Sequence, residues 1–483
     1  MKTLEDYLRR DAEFYPDKTA VVYGEESVTY RELWSRVKQR AAQMESKGKL
    51  VAFRAVCEID TLVHYFAIHV AGGIAMPLEK DLPEEQYQEF CQLVKKYGDS
   101  EVSSSLEDDS LDTIPEGTAD VLFTTGTTGK QKGVLISHAT IIADAENLIA
   151  AQGYHHDLTF IICGPLNHIG SLSKIYPMVL VGGTMVLLDG IKDMDAWYRA
   201  MEQPLLHGSD DTTDESAGKN HTFASFLVPA SLRMLMAFSA ERLSQHADRI
   251  EFIETGAAPM AQADMERLCQ LLPHSRLYNT YASTETGIVA TYDFNHEECL
   301  AGCLGKPMKH SGIIIVEEDE EGGFREVAEG KTGRVACQGK TLMSGYLGDT
   351  PLTASVLRKD TVYTADLGRI DGQGRLRLEG RAGDVINVGG YKVTPTEVED
   401  AALSLPMVKD CICIPAQHRG LGTVLKLLVV LADGYELDKR AIAKGLQQHL
   451  ENYKIPMLYE QVDAIKRTFN GKIDRKSYLS IFS

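Results

Sequence analysis

The stretch TTGTTGKQKG occupies residues 124–133 and follows the apolar run VLF at residues 121–123. Its glycines let backbone N–H groups turn toward an anion, its threonines add hydroxyl donors, and Lys130 and Lys132 add positive charge. A segment with so many donors and so little side-chain bulk is suited to hold a polyphosphate. The alternative is an ordinary polar surface loop, and the length of the motif favours phosphate binding. The Walker pattern GxxxxGK[ST] does not occur in this stretch, which disfavours a P-loop NTPase.

Short β-rich runs alternate with helical patterns on both sides of this stretch. Between residues 139 and 151, Ile141, Ala145 and Leu148 share one face of a predicted helix. Such alternation predicts an α/β protein with largely parallel sheets. The predicted strands cover residues 121–125, 160–164, 184–188, 223–228, 250–254 and 276–281.

Near residue 300 the pattern becomes almost entirely strand and turn. The run GIIIVEEDEEGGFREV predicts a hairpin with its turn at residues 321–323, and RVACQG and GRLRLEG predict further strands. The sequence DGQG at 371–374 predicts a turn between two of these strands. We interpret this region as a small β subdomain that closes a large N-terminal module at residue 380.

Residues 381–483 predict a separate, small α+β domain of about a hundred residues, which is a usual domain size. It opens with a predicted hairpin, DVINVGGYKV. Thr394 as the cap, Pro395 at the first helical position and Glu397 as the partner in a capping box predict the start of a helix. The strands CICIPA and LKLLVVLA follow, and then a helix from Leu437 to about Tyr453.

Length and charge limit the possible functions. The chain has 483 residues, which is too many for a single core. It has 69 acidic and 50 basic residues and a formal net charge of -19. Because affinity for nucleic acid comes mostly from neutralisation of phosphates by Lys and Arg, we expect no nucleic-acid partner and no binding to an anionic membrane. The oligomeric state does not follow from the sequence.

Cysteine usage and the first residues predict a cytoplasmic protein. Nine cysteines are scattered without a CxxC pair or zinc-site spacing, which indicates reduced thiols. The N-terminal sequence MKTLEDYLRRDAEFYPDK is charged throughout and lacks the apolar segment of a signal peptide. The longest nearly apolar stretch, residues 176–188, is too short to span a bilayer. We read the acidic run at 207–220 as a surface loop.

The stretch 124–133 resembles the phosphate-loop signature of the adenylate-forming superfamily, which includes acyl- and aryl-CoA synthetases, adenylation domains of peptide synthetases, and luciferases. Further motifs similar to those of the family follow in the family's order over nearly the whole chain. They are FYPDKTAVV, SVTYREL, PLNHIG (165–170), GAAP (256–259), NTYASTE (279–285), YTADL (363–367), the hinge region 380–399 and NGKI (470–473).

This resemblance implies an α/β fold with an N-terminal AMP-binding domain at 1–380 and a mobile C-terminal domain at 381–483. It also implies an acid–thiol ligase that uses ATP, Mg²⁺ and coenzyme A. In such a reaction two anions must meet, and the charge on the leaving pyrophosphate must be neutralised.

The resemblance assigns one group of residues to ATP. Gly256, Ala257 and Ala258 would leave room for the adenine plane, on which Tyr281 could stack, with Asn279 in the same motif. Asp366 would accept hydrogen bonds from the ribose hydroxyls, and Arg381 would add a further ribose contact. The β- and γ-phosphates would be held by Thr124, Thr125, Gly126, Thr127, Thr128, Gly129, Lys130 and Lys132.

A second group is implied in catalysis. Lys472 would lie between the acid's carboxylate and the α-phosphate, where it would cancel their repulsion. Glu285 would bind Mg²⁺, a hard ion that prefers oxygen ligands. Thr284 would donate to the α-phosphate, and His168 would stand at the gate of the acid pocket. Each of these taken alone has an ordinary structural interpretation, such as a solvated charge or a hydrogen-bonded histidine.

In the family, the small domain swings after adenylation and presents its hairpin to a pantetheine thiol. Gly389 and Gly390 fit that role, because a thin arm can pass closely only where no Cβ intrudes. Gly383 stands at the hinge position, where the family commonly has Asp or Lys. Gln131 and Thr125 replace the usual proline and serine of the phosphate loop.

Ala282 bears on the choice of acid, because most acyl-CoA synthetases have glycine there and acetate-using members have a bulky aromatic residue. Alanine predicts a pocket for an acid larger than acetate, either a medium-chain fatty acid or an aryl acid. No Asp placed to pair with an amino group, as in peptide synthetases, is identified. Three alternatives stay open: a ligase that loads the phosphopantetheine of a carrier protein, a non-catalytic nucleotide-binding relative, and an NTPase motor that forms ADP.

Overall fold

The structure is a computed structural model that describes residues 2–98, 114–125, 131–202, 222–319, 322–388, 391–418, 420–467 and 473–479. The predicted surface loop at 207–220 therefore lies outside the described residues. Within them, no helix has both the length and the apolar character that crossing a membrane requires.

The helices are α1 (Leu4–Phe14), α2 (Tyr30–Ala41), α3 (Ile59–Val70), α4 (Glu84–Gly98), α5 (His138–Gln152), α6 (Ile169–Val181), α7 (Met194–Glu202), α8 (Pro229–Phe238), α9 (Ala240–Gln245), α10 (Gln262–Leu271), α11 (Thr350–Val356), α12 (Pro395–Leu403), α13 (Lys439–Leu446) and α14 (Arg475–Leu479).

The strands of the first half are β1 (Thr19–Tyr23), β2 (Glu26–Thr29), β3 (Leu50–Arg54), β4 (Ile74–Leu78), β5 (Thr118–Thr125), β6 (Gln131–Ser137), β7 (Thr159–Ile162), β8 (Thr184–Leu187), β9 (Phe223–Phe226), β10 (Ile250–Gly256), β11 (Arg276–Ser283) and β12 (Gly287–Asp293).

Those of the second half are β13 (Cys303–Pro307), β14 (Ser311–Glu318), β15 (Phe324–Glu326), β16 (Gly333–Gly339), β17 (Gly345–Tyr346), β18 (Leu357–Arg358), β19 (Thr361–Ile370), β20 (Leu376–Arg381), β21 (Ile386–Val388), β22 (Tyr391–Val393), β23 (Val408–His418), β24 (Gly422–Leu431) and β25 (Leu458–Gln461).

The α/β prediction is confirmed. One sheet runs in the order β15-β14-β16-β19-β20-β13-β12-β11-β10-β9-β7-β8-β1-β2, and a second sheet in the order β17-β6-β5-β4-β3. From β1 through β8, β7, β9 and β10 to β11 the neighbours pair in parallel. Each of the six predicted strands of the first half has its counterpart at nearly the predicted residues.

Two helices, α5 and α6, fill the space between the two sheets. One buried cluster joins Leu122 of β5, Ile141 of α5, Tyr176 of α6 and Phe252 of β10. The ends of α5 are fixed locally, because the Ser137 hydroxyl accepts from the Thr140 N–H at 3.1 Å and Gly153 ends the helix in the left-handed conformation at φ 71°. This layer brings α6 against the strands whose ends build the site.

The predicted β subdomain is present, but it is not detached from the large sheet. Strand β13 pairs with β12 through Pro307 and Lys306, and with β20 through Cys303 and Gly305. One short strand therefore pairs with β12 at one end and with β20 at the other. Local sequence patterns do not predict such long-range pairing. The predicted hairpin over β14 and β15 and the turn before β20 are both confirmed.

Two details of the C-terminal prediction are wrong. Thr394 precedes α12 but makes no side-chain cap hydrogen bond, and the Glu397 carboxylate instead accepts from Lys454 Nζ at 2.6 Å. The charge-assisted bond replaces the predicted capping box. Helix α13 ends at Leu446 rather than near Tyr453, one residue after Gly445, whose low helix propensity favours an early stop.

Candidate active site

The described ends of the phosphate-loop candidate lie in two antiparallel strands, β5 and β6. In the antiparallel pair β5–β6, Thr124 lies opposite Lys132 and Thr125 opposite Gln131. Gly126, Thr127, Thr128, Gly129 and Lys130, which join the two strands, lie outside the described residues. Their roles in phosphate binding, like that of Thr125, stay predictions.

Tyr346 joins this hairpin to the candidate magnesium ligand. Strand β17 pairs with β6, with Tyr346 opposite Val134. Lys132 Nζ lies 5.4 Å from the centre of the Tyr346 ring, and the Tyr346 hydroxyl donates to Glu285 Oε1 at 3.0 Å. Burial, and then the nearby Glu285 carboxylate, raise the pKa of Tyr346, so the phenol stays a donor. A lysine, a phenol and a carboxylate thus follow one another beside the hairpin.

Thr284 and Glu285 stand on a turn that is closed by its two flanking residues. The Ser283 N–H donates to Thr286 Oγ1 at 3.1 Å, and the Thr286 N–H donates to Ser283 Oγ at 3.1 Å. The Met343 N–H also donates to the Glu285 carbonyl at 2.9 Å. These bonds hold the turn in one shape, so that Thr284 and Glu285 are both half-buried at the end of β11.

The adenine-edge candidates begin at Gly256, the last residue of β10, whose neighbour β11 runs parallel to it. Gly256 lies opposite Thr280, and a Cβ on Gly256 would stand 2.9 Å from the Thr280 carbonyl, so glycine is required there. Ala257 is exposed at φ 67°, a left-handed conformation that is costly for a residue with a side chain. Asn279 of β11 donates from Nδ2 to the Cys303 carbonyl of β13 at 3.1 Å. Ala258 is half-buried beside them.

Tyr281, Asp366 and Arg381 meet in the structure. Asp366 lies within β19 and not in a turn after a strand, and its Oδ2 accepts from the Tyr281 hydroxyl at 2.8 Å. Its Oδ1 accepts from Arg381 Nε at 2.9 Å, while 53% of the Arg381 side chain is exposed. The Asp366 carboxylate is thus held on both sides in a nearly buried position. This corner could accept hydrogen bonds from a vicinal diol.

Phe226, at the end of β9, packs against glycines of two family motifs, one of which also contains the acid-pocket candidate His168. His168 precedes α6, and a Cβ on Gly170 in the first turn of that helix would lie 3.1 Å from the Phe226 ring. From the other side, a Cβ on Gly256 would lie 3.8 Å from the same ring. Ala282 is half-buried and lies opposite Ile288. The absence of a Cβ at Gly170 and Gly256 therefore lets the Phe226 ring pack closely against both elements.

The small-domain candidates are less fully described. Lys472, Gly389 and Gly390 lie outside the described residues, so their roles stay predictions. Gly383 is exposed in the turn after β20, and a Cβ on it would meet nothing within 4 Å. Packing does not require glycine at this position.

Sequence reasoning missed two features of this site. Tyr346 reaches Glu285 only because β17 joins the second sheet, a pairing across more than two hundred residues that local patterns do not show. Lys174 and Glu254 form a buried ion pair at 2.7 Å behind Phe226. A lysine as the one charged residue of α6 was the available signal for the second feature, because buried lysines are rare.

Comparison with known proteins identifies the family. The family model of AMP-binding enzymes matches residues 8–95 and 92–347, and that of the AMP-binding enzyme C-terminal domain matches residues 397–472. Indoleacetate–CoA ligase of Aromatoleum aromaticum is 26% identical over 97% of this chain and 96% of its own length. Tyrocidine synthase 2 of Brevibacillus parabrevis is 26% identical over 98% of this chain but only 14% of its own length.

Solved structures share the fold. ATP-bound MatB from Rhodopseudomonas palustris superposes with a TM-score of 0.82 and 20% identity, over 100% of this chain and 99% of that one. The family models cover most of the chain, in the order that the sequence motifs predict. The chain therefore belongs to the AMP-binding enzymes and is an adenylate-forming ligase of the acyl-CoA synthetase type.

Proposed function

We propose that this enzyme activates a carboxylic acid with ATP and transfers the acyl group to the thiol of coenzyme A. In the first step a carboxylate oxygen attacks the α-phosphorus, and pyrophosphate leaves with the electrons of the broken P–O bond. In the second step the thiolate attacks the acyl carbon, AMP leaves, and the thiol proton passes to solvent. A carboxylate is a poor electrophile, and the mixed anhydride formed in the first step overcomes this.

The observation that carries the proposal is the Asp366 corner. A carboxylate fixed between the Tyr281 hydroxyl and Arg381 is suited to accept from both ribose hydroxyls of ATP. The adenine edge would lie against Gly256, Ala257 and Ala258, beside Tyr281 and Asn279.

We assign to the ATP phosphates the groups on the β5–β6 hairpin and beside it. The β- and γ-phosphates would be held by Thr124, by the loop 125–130 and by Lys132. Thr284 would donate to the α-phosphate. The oxygen donors at Glu285 fit magnesium, which prefers carboxylate and phosphate ligands and, when bound, neutralises phosphate charge. Lys472 would lie between the acid and the α-phosphate.

The small domain, residues 381–483, would move about Gly383 between the two steps. Gly389 and Gly390 would border the path of the thiol arm. The acid would be a medium-chain fatty acid or an aryl acid in the pocket beside His168 and Ala282, and the indoleacetate ligase supports the aryl choice. The nine cysteines are free thiols, which supports a reducing, cytoplasmic location.

Acid-dependent exchange of pyrophosphate into ATP tests the proposal. A panel of fatty and aryl acids should contain at least one that supports exchange and forms AMP. We expect Lys472→Ala to reduce exchange by about two to three orders of magnitude, as loss of a group that stabilises transition-state charge does. Formation of ADP, or exchange unchanged in Lys472→Ala, would contradict this mechanism.

A second candidate acceptor is the phosphopantetheine arm of a carrier protein. The match to a segment of tyrocidine synthase 2 favours it, because that segment is a small part of a much longer synthetase. Turnover with free coenzyme A and with purified holo-carrier proteins would separate the two acceptors.

A further inference from the structure

Two oppositely charged side chains are buried together where α6 faces β10. Lys174 Nζ donates to Glu254 Oε1 at 2.7 Å, and each side chain is only 1% exposed. Burying two charges carries a large desolvation cost, which a good geometry and further hydrogen bonds normally offset. Among the residues that the structure describes, those further hydrogen bonds are lacking.

Glu254 Oε2 is buried and has no hydrogen-bond partner among the described residues. Within the same residues, Lys174 Nζ has this one hydrogen bond, and the centre of the Phe226 ring lies 5.1 Å from it. Asp144 lies within the electrostatic reach of Lys174, but it accepts from the Ile288 N–H, and burial raises its pKa to about 8. The pair therefore offers both a free acceptor and free donors.

The position of the pair follows from the periodicity of the two elements. Lys174 lies one helical turn after Gly170, and Glu254 lies two residues before Gly256 on the same face of β10. Gly170 and Gly256 are the two glycines against which the Phe226 ring packs. The pair thus lies behind Phe226, on the two elements that border the proposed acid pocket.

We propose that Lys174 and Glu254 form the inner end of the acid pocket and select an acid that carries a hydroxyl group at its far end. This inference rests on the proposed function and narrows its substrate class. A hydroxyl can donate to Glu254 Oε2 and accept from Lys174 Nζ at the same time. A hydrocarbon tail would leave both groups buried and without those bonds.

Matched acids test this directly in the pyrophosphate-exchange assay. The pairs are phenylpropanoate with para-hydroxyphenylpropanoate, and octanoate with omega-hydroxyoctanoate. Sites built to hydrogen-bond a substrate hydroxyl discriminate strongly against analogues without it, and we expect kcat/KM to favour the hydroxylated member of the better pair by about 100-fold. The difference should lie mainly in the KM for the acid, with the KM for ATP unchanged.

Variants separate recognition from a structural role. Glu254→Leu combined with Lys174→Met should bring the preference close to one, because it removes both hydrogen-bonding groups together. The single variant Glu254→Gln keeps an acceptor oxygen and should therefore retain part of the preference for the hydroxylated acid. Glu5→Gln removes a buried, ion-paired carboxylate outside the pocket and should leave the preference unchanged.

The outcomes distinguish the two proposals. Exchange that is equal for hydroxylated and plain acids, or a preference that survives in the double variant, would make the pair purely structural and overturn this inference alone. If no acid of either kind supports exchange or AMP formation, the proposed function fails and this inference fails with it.

Discussion

Two buried ionic groups of the large module differ in how completely they are hydrogen-bonded. His69 uses both ring nitrogens: Nδ1 lies 2.8 Å from Glu5 Oε1, and Nε2 lies 3.1 Å from Asp120 Oδ1. Asp120 Oδ2 also accepts from the Tyr65 hydroxyl at 3.0 Å. Among the described residues, the Lys174–Glu254 pair has one such bond. The comparison teaches that a saturated network stabilises the fold, whereas an unsaturated pair keeps hydrogen-bonding capacity that a ligand could use.

The His69 group also resembles a metal site at first sight. Glu5, His69 and His138 place potential ligand atoms within 4.8 Å of one another. Burial lowers the pKa of His69, but the charge of Glu5 and the hydrogen bonds to Asp120 and Glu5 outweigh it and raise the pKa to about 10. The charges favour a protonated imidazole, and His69 with Glu5 and Asp120 forms a buried ion triad.

The largest expected effect follows from His69→Leu. It would leave Glu5 and Asp120 buried without their cation, and we expect a loss of about 3–5 kcal/mol in the free energy of unfolding. Urea unfolding followed by circular dichroism would measure it. His64→Leu on the same helix is the matched control and should change stability by less than about 1 kcal/mol. If the two variants lower the free energy of unfolding equally, the ion triad has no special role in stability.

The next effect concerns the unsaturated pair. Lys174→Met should cost about 3 kcal/mol, because Glu254 loses its partner among the described residues, whereas adding Glu254→Leu should recover most of that loss. Thermal unfolding of the two variants gives the comparison. A double variant as unstable as the single one would show that the pair is as structural as the triad.

The pH dependence of stability sharpens the contrast. A raised pKa means that the contribution of His69 is complete below about pH 6.5 and is lost as the pH rises through about 10. The stability difference between wild type and His69→Leu should therefore shrink above pH 6.5 by up to about 1.4 kcal/mol per pH unit. A difference that stays constant from pH 6.5 to 9.5 would contradict the protonated triad.

The smallest expected effect on the free energy of unfolding comes from substitutions of two buried tyrosines. Tyr65→Phe removes the hydrogen bond to Asp120 and should cost about 1 kcal/mol. Tyr154 has a buried hydroxyl without a partner among the described residues and lies within the electrostatic reach of Glu254. Tyr154→Phe should therefore be neutral or slightly stabilising in the same unfolding assay, and a larger loss than for Tyr65→Phe would reverse the ranking.

Much of the fold followed from local patterns. The strand at 121–125, the helix at 139–151 and the hairpin at 384–393 are all found where apolar periodicity and turn residues placed them. What failed was decided by distant partners. The predicted capping box was lost because Lys454 pairs with Glu397, fifty-seven positions away.

The candidate site likewise combines residues that motifs named with contacts that depend on distant partners. Asp366, Tyr281 and Arg381 were each named from motifs, but the motifs did not say that the Tyr281 hydroxyl and Arg381 would hold the same carboxylate. Tyr346 and the Lys174–Glu254 pair lie outside the motifs altogether. Their contacts depend on sheet order and on helix packing, which no short segment encodes.

Strand β13 has a consequence for how this enzyme could be recombined. Because β13 is hydrogen-bonded to both β12 and β20, strand β10, which leads into the adenine-loop candidates, and strand β19, which carries Asp366, belong to one continuous sheet. A genetic crossover placed just after Arg381, where β20 ends, would transplant a foreign tail and keep the proposed purine and sugar platform intact. Modular exchange of tails is thus compatible with an unchanged platform for the proposed nucleotide.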